Sequence, residues 1–257
     1  MNTTVARQSF RTSWAGFLWY ALGIVVSLVG MQSIVADKAK VISSAMDAFP
    51  KSMLDALQIN VATFGTPVGY ISGEWLSLMW PFVLVAFVAG GAAAIAGMVE
   101  DGTIHFELSL PITRVAWLLG RFLTSALWLA GFTLVTVASL YIVTPAAWWR
   151  FGLLGFAFGF LTLGFAYAVA AASPQRTLVY SAVFGLFILQ WLLATVAGSS
   201  SSAVVKALGY LSVWGDFRPE AVVTGGVNWA PVVLWLALGS AFVAFAAWRW
   251  RTRDIPA

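Results

Sequence analysis

Long apolar blocks separated by short polar stretches run the length of the chain. Six blocks, at residues 15–36, 76–98, 122–143, 151–172, 178–197 and 230–248, contain no Asp, Glu, Lys, Arg or His. A helix rises about 1.5 Å per residue, so about 20 apolar residues cross about 30 Å of hydrocarbon. The blocks have that length. A membrane β-strand runs only about 10 residues and alternates polar with apolar positions, whereas these blocks are continuous. Backbone groups left unpaired in lipid are too costly for anything but helices and closed barrels to span it. The pattern therefore predicts an all-α polytopic membrane protein with six transmembrane helices.

The stretches between the blocks carry their own periodicities. Within residues 1–14, Arg7 and Arg11 share one helical side and Phe10 and Trp14 another. That predicts an interfacial elbow helix leading into the first span. Residues 37–75 read as an external loop. In it Met46, Phe49, Met53, Leu54 and Leu57 recur at helical spacing around Lys51 and Asp55, which fits an amphipathic helix on the membrane and a solvated loop helix equally. Residues 198–229 open with four serines and close near Gly225-Gly226. They are too polar to span and are expected to form a second external loop, dipping into the interface as a cap. Residues 99–121 predict a short surface helix. Asp101 or Thr103 can accept a backbone N–H at its start, Ile104 and Leu108 form an apolar side, and Pro111 ends it. Acidic groups then sit at the positive end of the helix dipole.

Composition narrows the class. Of 257 residues, 61% are hydrophobic and 9% charged, against about 25% charged in soluble domains. Lipid must be the solvent for most of the chain. Basic residues flank the apolar blocks, so the net charge of +4 speaks to orientation in the membrane rather than to a nucleic-acid partner. Six spans place both termini on one side. That side holds Arg7, Arg11, Arg114, Arg121, Arg176, Arg249, Arg251 and Arg253 close to span ends. The other side holds Lys38, Lys40, Lys51, Arg150, Lys206 and Arg218, its lysines diluted by Asp37, Asp47 and Asp55. The arginine-rich side is expected to be cytoplasmic. Trp14, Trp75, Trp148, Trp149, Trp229, Trp248 and Trp250 fall at or near span ends, where amphipathic rings anchor. The first apolar run exceeds the roughly 7–15 residues of a signal-peptide core, and Ile34-Val35-Ala36 offers no small residue at the required place, so an uncleaved first span is expected. The chain has no cysteine, which excludes disulfides and thiolate metal sites.

The stretch from residue 99 to 114 resembles the signature of the ABC transporter type-2 permease family, ABC-2. The matching residues are Glu100, Asp101, Gly102, Thr103, Leu108, Ser109, Leu110, Pro111, Ile112, Thr113 and Arg114. The chain departs from that pattern at Phe106-Glu107, where the family more often has a leucine-rich pair. The wider plan is similar too: an elbow, a long first external loop, six spans and a semi-apolar loop before the last. The resemblance implies a single transmembrane permease domain over residues 1–257. Residues 99–121 would be a cytoplasmic coupling segment docking on a separate ABC ATPase. The docking residues would be Glu100, Asp101, Gly102, Thr103, Ile104, Glu107, Leu108, Leu110, Pro111 and Arg114, with Ile104 and Leu108 giving the apolar contact and Glu100, Asp101, Glu107 and Arg114 the polar rim. ATP and Mg²⁺ would be bound by that partner, and a second permease copy, identical or paralogous, would complete twelve spans. It further implies a multi-pass protein of the plasma or inner membrane exporting a hydrophobic or amphipathic compound. On spacing alone a surface helix resting its apolar side on lipid headgroups is the favoured reading of the segment.

Chemistry of its own is sparse in the chain. A phosphate-binding loop needs Gly-Lys-Ser/Thr. Of the four lysines only Lys51 precedes a serine, and Pro50 precedes it. One histidine, His105, and no intramembrane carboxylate disfavour a zinc or serine hydrolase in the membrane. An ion-coupled secondary carrier is the alternative transporter. Such proteins usually hold an ionisable group within a span, although broken helices can serve instead. Gln190, Thr162 and Tyr167 are the polar candidates for a substrate path, or for hydrogen bonds between helices. Gly155 and Gly159 form a Gly-x-x-x-Gly pair suited to a dimer face or to packing within one copy. Pro81 is expected to kink the second span.

Overall fold

The computed structural model describes residues 3–46, 49–50, 54, 66–109 and 111–253. Among these there is no β-strand, and six helices are long and apolar enough to cross a membrane. The protein is an all-α polytopic membrane protein.

The first helix, α1, runs unbroken from Thr3 to Met46. Two expectations change here. No separate elbow exists, because no glycine or proline interrupts residues 3–14, and the amphipathic turns continue straight into the span. The helix also passes residue 36, since residues 32–46 again lack a breaker and charge alone does not end a helix once it leaves the lipid. The expected amphipathic helix around Lys51, Met53, Asp55 and Leu57 lies outside the described residues.

The second span starts about ten residues earlier than the hydropathy block. Thr66 caps α2 (Pro67–Tyr70) by accepting the Gly69 N–H at 3.1 Å, with Pro67 at the first turn. A nine-residue π-helical stretch, Ile71–Met79, follows and leads into α3 (Trp80–Glu100). Pro81 sits just where the π-helical ladder gives way to the α-helical one. Its missing N–H falls where the register already changes. After Gly102, whose φ of 70° suits a glycine beyond a helix end, the short helix α4 (Ile104–Leu108) turns into α5 (Arg114–Val143). Thr113 caps α5 through the Ala116 N–H at 3.2 Å.

The remaining spans are α6 (Trp148–Ala172), α7 (Arg176–Ser199) and α10 (Trp229–Thr252). Between α7 and α10 lie α8 (Ala203–Gly209), a 3₁₀ turn at Val213–Asp216 and α9 (Pro219–Gly225). This connection folds back into the bundle. Trp214 and Phe217 are buried, and Phe217 stacks on Trp80 at 6.1 Å. Trp80 is the hub at that end, donating from Nε1 to Thr136 Oγ1 at 3.1 Å and meeting Phe151 edge-on at 5.1 Å.

Helix α6 is central, packed by α3, α5, α7 and α10. Its glycines make that possible. A Cβ at Gly164 would lie 2.5 Å from the Gly239 carbonyl oxygen of α10, one at Gly155 would lie 2.9 Å from the Trp80 ring, and one at Gly159 would lie 2.6 Å from Leu129. Gly155 and Gly159 thus serve packing within one copy. Both are buried, so they offer no face to a second.

Candidate functional site

At the arginine-rich end, the loop between α3 and α5 is tied to three spans. Glu100 Oε2 accepts the Arg176 backbone N–H and its Nε, each at 3.1 Å, and Asp101 Oδ1 accepts Arg176 Nη2 at 2.7 Å. A carboxylate at the N-terminus of α7 also meets the positive end of that helix. These groups are about half exposed, so the pairs orient the loop more than they stabilise it. Glu107 turns inward toward α5, where Oε2 accepts Trp117 Nε1 at 2.9 Å and Oε1 accepts Arg121 Nη2 at 3.2 Å. Arg114 Nη1 donates to the Arg253 carbonyl at 2.9 Å, reaching the end of α10. Trp117 stacks on Trp250 at 5.6 Å.

This geometry redistributes the residues singled out in the sequence. Ile104 is fully buried in the core at 0% exposure and Leu108 is half-buried against it, so neither is a free apolar contact. Phe106, at the position of departure from the family pattern, is 80% exposed. Glu100, Asp101, Glu107 and Arg114 are all engaged within the chain. Neither Asp101 nor Thr103 caps α4, and the Thr103 hydroxyl bonds instead to the Met98 carbonyl at 3.4 Å. Gly102 makes the turn, Pro111 follows α4, and Leu110 lies outside the described residues.

The candidate path residues separate. Gln190 and Thr162 line a cavity of about 200 Å³ between α6, α7 and α10. Gln190 Oε1 accepts the Val213 N–H at 2.9 Å and its carbonyl accepts Ser212 Oγ at 2.6 Å, pinning the folded-back segment. Thr162 donates to the Phe158 carbonyl at 2.9 Å. Tyr167 instead faces a larger cavity, about 350 Å³, between α1, α3, α5 and α6. It is 1% exposed and shares a 2.8 Å hydrogen bond with Ser125.

Sequence reasoning missed the rest of that larger cavity. Its polar wall is Ser9, Thr12 and Ser13 from α1 and Arg121, Thr124 and Ser125 from α5. Trp128 joins the two helices, stacked between Phe10 at 4.1 Å and Phe17 at 4.4 Å, with Nε1 donating to Ser13 Oγ at 2.8 Å. The signal was a hydroxyl stripe at helical spacing on each helix. Among the described residues no group of three or more His, Asp or Glu gathers as a metal site would require.

Six apolar helices, a core of interlocked aromatics and glycines, and three ion pairs at one end among the described residues define a multi-pass α-helical membrane protein. The chain belongs to the ABC-2 family: the model described as ABC-2 family transporter protein matches residues 4–255. A search of curated proteins found no match. The family places this chain as a membrane subunit.

Proposed function

We propose that this chain is the permease subunit of an ATP-driven exporter in the plasma or inner membrane, with both termini in the cytoplasm. A separate ABC ATPase would bind ATP and Mg²⁺, and a second permease copy would complete the translocator. The cargo is a hydrophobic or amphipathic compound. The observation that carries the reading is the braced loop from residue 99 to 114. One large apolar side chain, Phe106, projects from α4, while Glu100 and Asp101 hold α7, Glu107 holds α5 and Arg114 holds α10. An ATPase surface pressing on Phe106 as it closes around ATP would push on all three spans, because the loop is tied to each of them. Apolar anchors ringed by polar contacts suit such docking.

The test is co-purification in detergent of the chain with its candidate ATPase. Phe106→Glu should release the ATPase while leaving thermal stability unchanged, since the residue is 80% exposed. Leu108→Glu should lose both. If a folded wild-type chain never retains an ATPase, the exporter reading fails and a self-contained ion-coupled carrier takes its place.

A further inference from the structure

We propose that the cavity between α1, α3, α5 and α6 binds an amphipathic molecule by a phosphate or carboxylate headgroup, with its apolar part against the aromatic residues of the cavity wall. The proposal rests on the exporter reading for the direction of transport and names the binding site and cargo class within it.

The cavity exists because its walls carry small residues. Gly16, Gly90, Gly91 and Ala94 line it, and a Cβ at Gly16 would meet nothing within 4 Å. Thr12, Ser13 and Gly16 are exposed, so the cavity opens along α1. Its α5 wall runs from Arg121 to Trp128, in the half of the bundle nearest the arginine-rich end. In the proposed orientation that is the inner leaflet, where an amphiphile would enter sideways.

The lining combines Arg121 and several hydroxyls with the aromatic rings of Phe17, Phe87 and Trp128, the Ser13 hydroxyl standing against Trp128. Two buried polar atoms of the lining residues have no hydrogen-bond partner in the chain: Ser9 Oγ, on a residue 4% exposed, and Arg121 Nε, each covered as the cavity stands, so that a ligand oxygen reaches them by a side-chain shift. Unsatisfied buried donors are uncommon and costly. A guanidinium has no acceptor and a hydroxyl can donate, so both ask for an acceptor oxygen. Glu107 grips Arg121 at Nη2 and is not part of the cavity wall. It holds the guanidinium through Nη2 and leaves Nε without a partner in the chain. Anionic oxygens satisfy these donors and an ammonium does not. The smaller cavity lacks this character, because it has no charged wall residue and both Thr162 and Gln190 are engaged.

The experiment uses the purified chain alone in phosphatidylcholine nanodiscs, without any ATPase. A dansyl-labelled undecanoic acid is titrated and read by energy transfer from tryptophan. Saturable binding is expected, with the corresponding dansyl-labelled amine about tenfold weaker, as for the loss of one charge-assisted bond. Gly16→Leu adds a side chain at the cavity wall, its Cβ free of contact, and should weaken the acid by about tenfold at unchanged thermal stability. Arg121→Gln should do the same wherever it folds. Displacement by soluble octyl phosphate marks a free amphiphile as the source, and displacement by phosphatidic acid in the disc marks a leaflet lipid. No saturable binding, equal binding of the amine, or a Gly16→Leu variant that binds like wild type overturns the proposal. Because the ATPase is absent, any of these leaves the exporter reading to its own co-purification test.

Discussion

Single side chains at the arginine-rich end do structural work that composition hides. Arg253, read from the sequence as one more topology-setting charge, is buried, and its Nη1 donates to the carbonyls of Ala170, Ala171 and Ser173 at 3.2–3.3 Å. Those are carbonyls at the end of α6, where a helix lacks partners of its own and a cation is favoured. Burial, and then Arg249, pull its pKa below the usual arginine value, yet a guanidinium stays charged throughout the neutral range. Arg253→Ala should therefore cost about 2 kcal/mol of stability, the scale of hydrogen bonds to a charged group, with no dependence on pH near neutrality. Thermal unfolding followed by tryptophan fluorescence checks this, and an unchanged midpoint would mean that water caps α6 instead. Glu107 teaches the same lesson about reading a sequence. Nothing in its spacing from Trp117 and Arg121 says that the turn around Pro111 folds them together, so it read as an exposed rim group.

At the scale of elements, spans were legible and their ends were not. Desolvation of a charge in lipid is severe enough that uncharged blocks mark where helices cross. Outside the lipid only breakers end a helix, so α1 runs on through Asp37 and Lys40 to Met46, and the second span starts at its Thr66-Pro67 cap rather than at residue 76. The larger cavity was half legible. Ser9, Thr12 and Ser13 share one face of α1, and Arg121, Ser125 and Trp128 share one face of α5, but only packing shows that these faces meet. Glycine spacing was legible as close packing and illegible as to partner. The tightest approach to another backbone among the described residues, Gly164 against Gly239, supplies a prediction. Gly164→Ala puts a methyl against a backbone carbonyl that cannot rotate away, so α6 and α10 must part, at about 1–3 kcal/mol as for other overpacked sites. Gly185→Ala, where a Cβ meets nothing within 4 Å, should be neutral. Midpoints of the two variants in the same detergent separate specific packing from a general cost of altering glycines.

For the molecule as a whole, the division between the two ends carries the functional argument, because docking on an ATPase and entry from the inner leaflet both require the end bearing α4 to be cytoplasmic. Arginine bias supports that orientation, with the charges closest to span ends counting most. The natural absence of cysteine makes the orientation directly measurable. Ser109, which follows α4, and Thr252, at the end of α10, lie at one end of the bundle; Ser201, between α7 and α8, lies at the other. Each can be replaced singly by cysteine at an exposed position. In intact cells a membrane-impermeant maleimide should label Ser201→Cys and leave Ser109→Cys and Thr252→Cys unlabelled until the membrane is permeabilised. The reverse pattern would place Phe106 and the mouth of the larger cavity on the outside. It would remove the docking role of α4 and turn the cavity into an outer-leaflet site. Matching behaviour of Ser109→Cys and Thr252→Cys separately tests the even number of crossings between them, so a mismatch would overturn the six-span arrangement itself.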